Sequence, residues 1–130
     1  MSKAFSDWDI TFKQGKAGED LVLKVLTDKD LEVKTDYVYA SSGNLYVEHT
    51  CWNNTQGKFV PSGIETTKSD YYCFVIPKGQ RKPVILTVPT QLVKKLVKDC
   101  KTAEMNDGAN PSKGYLLKVS AVFGAILEAA

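Results

Sequence analysis

Leu31-Glu-Val-Lys-Thr-Asp-Tyr-Val-Tyr39 and Asn44-Leu-Tyr-Val-Glu-His-Thr50 are the two runs whose reading decides the fold. Both alternate with the period of a half-buried strand. In the first, Leu31 and Val33 point one way while Glu32, Lys34 and Asp36 point the other. In the second, Leu45 and Val47 share one face and Tyr46, Glu48 and Thr50 the opposite one. Ser41-Ser-Gly-Asn44 between them has the chemistry of a turn. The pattern therefore predicts a β-hairpin that carries Asp36 and Glu48 on adjacent strands.

Working outward, Ala17, Leu21, Val22, Val25 and Leu26 recur at helical spacing and predict a helix over residues 15–28. Glu19 stands three before Val22 and seven before Leu26, so it is expected to lean toward the buried side. Downstream, residues 53–57 read as a loop. Thr66 and Thr67 read as N-caps of a short helix through Lys68 and Asp70. Tyr71-Tyr-Cys-Phe-Val-Ile76 is a continuous aromatic and β-branched run, hence a buried strand. A turn over 78–82 leads to a strand over 84–88. Pro89 then opens a helix to about residue 101, with Leu92, Val93, Leu96 and Val97 as its apolar face. Residues 106–114 read as a long polar loop, 115–119 as an edge strand, and 122–127 as a short apolar helix. This order, αββ-αββαβ, predicts an α/β fold with a mixed sheet and flanking helices.

A chain of 130 residues is expected to form one domain over 1–130. Its 43% hydrophobic and 25% charged residues are ordinary for a globular protein. No apolar run is long enough for a membrane span, and the N-terminus has no signal core. An intracellular, cytoplasmic location without a membrane partner is the expectation. Three cysteines, Cys51, Cys73 and Cys100, with no Cys-x-x-Cys pair, argue against a disulfide framework and a zinc site. Cys73, inside the apolar run, reads as a core residue. With His49 the lone histidine, any metal is expected to take oxygen ligands.

Two carboxylates close together repel unless a counter-charge intervenes, and Mg²⁺ is the natural one for Asp36 and Glu48. Beside a basic surface such an ion equips a site for phosphodiester hydrolysis. The net charge of +2 is small, but Lys78, Arg81 and Lys82 form one basic group, and Lys94, Lys95, Lys98 and Lys101 another. They read either as solubilising lysines or as phosphate contacts. Ser62, Thr66 and Thr67 are candidate phosphate contacts at a helix start, or simple caps. Trp52 can stack on a base or cover an apolar edge. His49 points opposite to Glu48 and is expected to pack or hydrogen-bond. No phosphate-loop motif occurs, and no partner set stands out for a serine or cysteine nucleophile.

The order of helical Glu, strand Asp and strand Glu resembles the PD-(D/E)XK, or restriction endonuclease-like, nuclease superfamily. Asn44-Leu-Tyr-Val-Glu-His-Thr50 followed by Pro61-Ser-Gly-Ile-Glu-Thr-Thr-Lys-Ser-Asp-Tyr-Tyr72 is similar to its small phage-type and Holliday junction resolvase-like members. The resemblance spans roughly residues 15–119 and implies a Mg²⁺-dependent DNA endonuclease, with Mn²⁺ able to substitute, working as a homodimer. It implies that Asp36 and Glu48 hold the metal, with Glu19 assisting and the His49 carbonyl as a further ligand. The superfamily's Glu-x-Lys lysine is Thr50 here. Lys68 or Lys34 would take its role, and Glu32-Val-Lys34 offers a second alignment. The alternative implied is a nuclease-fold DNA-binding protein without catalysis.

Overall fold

Tyr72, Phe74 and Ile76 alternate along one strand and are almost fully buried, which makes that strand the centre of the core. A computed structural model describes residues 2–27, 31–36, 42–78, 81–106 and 110–129. Its elements run in the order α1 (Ser2–Thr27), β1 (Leu31–Thr35), β2 (Asn44–Asn53), β3 (Lys58–Pro61), a 3₁₀ turn (Gly63–Glu65), β4 (Tyr71–Lys78), β5 (Arg81–Pro89), α2 (Thr90–Leu96), a second 3₁₀ turn (Val97–Asp99), β6 (Thr102–Met105), β7 (Ser112–Lys118) and α3 (Val119–Ala129). The fold is mixed α/β, and its described strands form two sheets, β1-β4-β5 and β3-β2-β7-β6.

Among the described residues, β1 and β2 do not pair as the expected hairpin. β1 pairs in parallel with β4, with Glu32 opposite Tyr72 and Lys34 opposite Phe74. β2 pairs antiparallel with β7 and with β3. Residues 37–41, which hold the end of the first predicted strand and part of the turn, lie outside the described residues. β2 forms its hairpin with β3, closed by the Asn53 side chain, whose Oδ1 accepts the Gln56 N–H at 2.9 Å. β4 and β5 pair antiparallel from Tyr71–Pro89 to Lys78–Arg81. The 115–119 strand is an inner one, since β7 lies between β2 and β6.

One core joins the two sheets. Leu45, Val47 and Leu117 meet Phe74, Ile76 and Val88, sealed by Val93 and Val97 at the end of α2 and by Val122 of α3. Burying each such side chain contributes about 2 kcal/mol. Cys73 is buried as expected, and the three thiols are free. Burial pushes the Cys100 thiol above its usual range, with the Asp99 charge adding to it. That thiol donates to the Leu96 carbonyl at 3.3 Å.

Helix α1 departs from the expected helix in two ways. It starts at Ser2 rather than at residue 15. Of its residues 13–27, only Val25 is buried, and Leu26 is 68% exposed. Glu19 is exposed, so the inward lean expected from its spacing is corrected. Leu21, Val22 and Leu26 of the stripe are exposed, and Val25 alone of it is covered. The short helix expected through Lys68 and Asp70 is also absent. Helical hydrogen bonding occurs one step earlier, over Gly63–Glu65, where the Gly63 carbonyl accepts from the N–H groups of Thr66 and Thr67 at 3.2 and 2.9 Å. No helix among the described residues is long and apolar enough to cross a membrane.

Candidate functional site

Asp36 closes the parallel ladder of β1, its N–H donating to the Val75 carbonyl at 2.8 Å. The carboxylate that follows is 5% exposed. Its Oδ2 accepts the backbone N–H of Tyr46 at 2.7 Å. A side chain from one sheet thereby holds the main chain of the other. Strand β2 continues for two residues from Tyr46 to Glu48, whose side chain leaves the same face.

Glu48 is set by a small backbone device. The β2–β7 register shifts between Glu48 and Thr50, leaving His49 at a bulge. Bulges re-aim side chains and expose backbone groups. The His49 carbonyl accepts the Ser62 N–H at 2.9 Å, and the Ser62 hydroxyl donates to Glu48 Oε2 at 2.9 Å. Gly63 then crosses directly over the Glu48 carbonyl with φ +53°. Pro61-Ser-Gly-Ile64 is thus a clamp on Glu48, with Ile64 buried as its anchor. The His49 ring, as expected, packs instead of reaching the carboxylates, tilted against Tyr115 at 4.7 Å.

A second acidic group lies beside Tyr72. This residue is 1% exposed, and its hydroxyl has no hydrogen-bond partner among the described residues. Burial pushes the phenol well above its usual range, and the charges of Glu32 and Glu48 push the same way. Lys34 sits with Glu32 at 3.0 Å. Tyr46 is raised as well, first by burial, with its Ser112 hydrogen bond opposing and Glu48 and Glu104 adding. The hydroxyl of Tyr46 meets Ser112 at 2.7 Å.

Two hydroxyls are buried without a partner among the described residues, Tyr72 Oη and Thr50 Oγ1. Leaving such a group unpaired costs about 1–3 kcal/mol, and an apolar replacement of the same shape relieves it. Tyr72→Phe and Thr50→Val are each expected to hold or raise stability, by up to about 1 kcal/mol. Urea denaturation midpoints measure this. A loss of 2 kcal/mol or more in either variant contradicts an unpaired hydroxyl.

The remaining expected site residues lie on several elements. Glu19 is exposed on α1, and Lys68 is exposed beyond the 3₁₀ turn. Thr66 and Thr67 bond locally, to the Gly63 carbonyl at 3.4 Å and to the Ser69 hydroxyl at 2.9 Å. Trp52 packs edge-on to Phe59 at 5.3 Å. Lys82 is exposed on β5, and the side chains of Lys78 and Arg81 lie outside the described residues. Among the described residues no three His, Cys, Asp or Glu side chains stand close enough to hold a metal ion. The carboxylates of Asp36, Glu48 and Glu19 therefore do not gather into one group. Sequence reasoning gives Gly63 and Tyr72 no site role and reads Ser62 as a phosphate contact or a simple cap, not as the partner of Glu48. Gly63 itself is the available signal, because glycine is the usual residue where the chain must adopt a left-handed backbone.

No family model, curated protein or solved structure matches this chain.

Proposed function

We propose that the chain is a DNA endonuclease of the PD-(D/E)XK type that uses a divalent cation, with Asp36 and Glu48 as its acidic pair. One observation carries the reading. The hydrogen bond from the Tyr46 N–H to Asp36 Oδ2, at 2.7 Å, ties the end of β1 to the strand that bears Glu48. Two residues of strand separate the tie from Glu48, about 7 Å. Mg²⁺ seldom needs an all-protein cage; it is commonly held by one or two carboxylates together with substrate phosphates and water. A two-carboxylate set fits that mode. The cation would supply Lewis-acid stabilisation and an activated water. The chain's own part is positional: Tyr46 and Ser62 fix the two carboxylates, and a lysine meets the charge developing on phosphate. Exposed Lys68 is free of any ion pair with a described residue and suits that role better than Lys34, which is engaged by Glu32. The 5′-phosphate product, a branched or phage DNA substrate and a homodimeric assembly follow from the resemblance.

A second reading, a nuclease-fold DNA-binding protein without catalysis, is favoured by Thr50, whose buried side chain stands where the superfamily has lysine. Incubation with linear, supercoiled, nicked, flapped and four-way DNA separates the two. Cutting that appears with Mg²⁺ or Mn²⁺ and vanishes with chelator supports the enzyme. Binding without cutting supports the second reading, and neither binding nor cutting sinks both.

A further inference from the structure

The face of the β3-β2-β7-β6 sheet that enters the core through Val47 and Leu117 continues beyond it. Tyr115 and Lys113 lie on the same side of β7 as Leu117, by strand alternation. Lys113 is opposite Thr50, and Trp52, two residues on, is opposite Phe59. This extension is half-buried rather than sealed. Lys113 Nζ stands 4.1 Å above the Phe59 ring, with Trp52 edge-on to the same ring. Beside Tyr115 opens a cavity of about 270 Å³, lined by Ile64, Glu65, Lys94, Val97, Lys98 and Tyr115. Lys94 and Lys98 are one helical turn apart and reach the same opening. Neither they nor Lys113 form an ion pair with a described residue. Glu65 is the acidic group of the lining, so the cavity remains net positive.

We propose that this face is a binding track for single-stranded DNA, with bases against Trp52 and Tyr115 and phosphates at Lys94, Lys98 and Lys113. Aromatic rings interleaved with ammonium groups that form no ion pair with a described residue suit an unpaired strand, because every base offers a π-face and every nucleotide a negative charge. An apolar protein partner would bury three lysines of this face against only Glu65 and Glu104, the latter opposite Lys113 on β6. A rigid duplex presents no free base to the rings. The inference deepens the nuclease reading and rests on it only for the polymer being DNA.

The test is binding of a fluorescein-labelled oligothymidylate in excess chelator, read by anisotropy, so that no step depends on cleavage. Trp52→Ala is expected to weaken binding about tenfold. Lys94→Gln with Lys98→Gln is expected to reduce the slope of log affinity against log salt by about 1.4, or about 0.7 per phosphate contact. Those two substitutions leave the core untouched, so they keep the test sharp should Trp52→Ala fold poorly. In a Trp8→Phe background, the remaining tryptophan is expected to be quenched by the oligonucleotide. Unchanged salt slope in the lysine variant overturns the inference, as does equal affinity for duplex, or for heparin, which has no bases. If the protein cuts DNA while these variants bind normally, this inference alone fails. If it never cuts but the variants lose binding, the nuclease reading alone fails.

Discussion

Gly63→Ala is expected to lower stability by about 3 kcal/mol and to detach Ser62 from Glu48. Two costs add at this position. A side chain at φ +53° occupies the left-handed region, which penalises any β-carbon. The new methyl would also overlap the Glu48 carbonyl oxygen and stand 2.8 Å from its carbon. That carbon belongs to the backbone of β2, which cannot move without disturbing the pairing with β7. The turn itself must therefore lift, taking with it the hydroxyl that holds Glu48 Oε2. Gly57→Ala is the control. Its φ of +64° is just as unfavourable, yet a β-carbon there meets nothing within 4 Å. Its expected cost is about 1 kcal/mol, from conformation alone. Equal unfolding midpoints for the two variants would falsify the close approach of Gly63 to Glu48.

Asp36→Ala and Glu48→Gln are expected to part company on stability while agreeing on activity. Removing the Asp36 carboxylate strands the Tyr46 N–H inside the protein, and a hydrogen bond to a charged acceptor is worth about 1.5–3 kcal/mol. A loss of about 2 kcal/mol is expected for Asp36→Ala. Glu48→Gln keeps an oxygen for the Ser62 hydroxyl, so its stability is expected to change by under about 1 kcal/mol. If the pair serves a nuclease, each variant loses cleavage by about a hundredfold or more, since each removes charge directed at the reacting phosphate. Full cleavage by a folded Glu48→Gln would remove Glu48 from the chemistry. The stability difference stands whether or not the protein cuts, because the Tyr46 contact does not depend on catalysis.

The elements with strong local signals were legible. The aromatic run of β4, the β-branched run of β5, the Leu-Val pattern of α2 and the apolar tail of α3 take the expected element types, although α2 ends at Leu96 and passes into a 3₁₀ turn over Val97–Asp99 instead of running to residue 101. Strands β3 and β6 were missed because each has four residues and no repeat long enough to declare a period. The pairing of β1 was misread because neighbours in sequence usually pair in space, whereas here the partner of β1 is β4. Glu19 was misread for a related reason. Helical spacing defines a stripe, but only the tertiary structure says whether anything covers it. At the site, the residue types Asp36 and Glu48 could be read, since carboxylates on alternating runs invite a charge argument. What links them could not, because it is the main-chain N–H of Tyr46, which every residue but proline possesses. The Ser62 clamp was equally hidden, depending as it does on a bulge at His49.

The strand order also governs when the site comes into being during folding. The pairs β2–β3, β4–β5 and β6–β7 are each contiguous in sequence, and such hairpins close within microseconds. The parallel β1–β4 pair and the β2–β7 pair enclose long stretches of chain and must wait for them. The Ser62–Glu48 contact needs only the local β2–β3 unit and its following turn. The Asp36–Tyr46 contact is short in sequence, but Asp36 is held in place by its N–H bond to Val75, so the contact is fixed when β1 seats on β4. The acidic pair is therefore completed from its Glu48 side first. Pulse-labelled hydrogen exchange would register this as late protection of the Tyr46 amide.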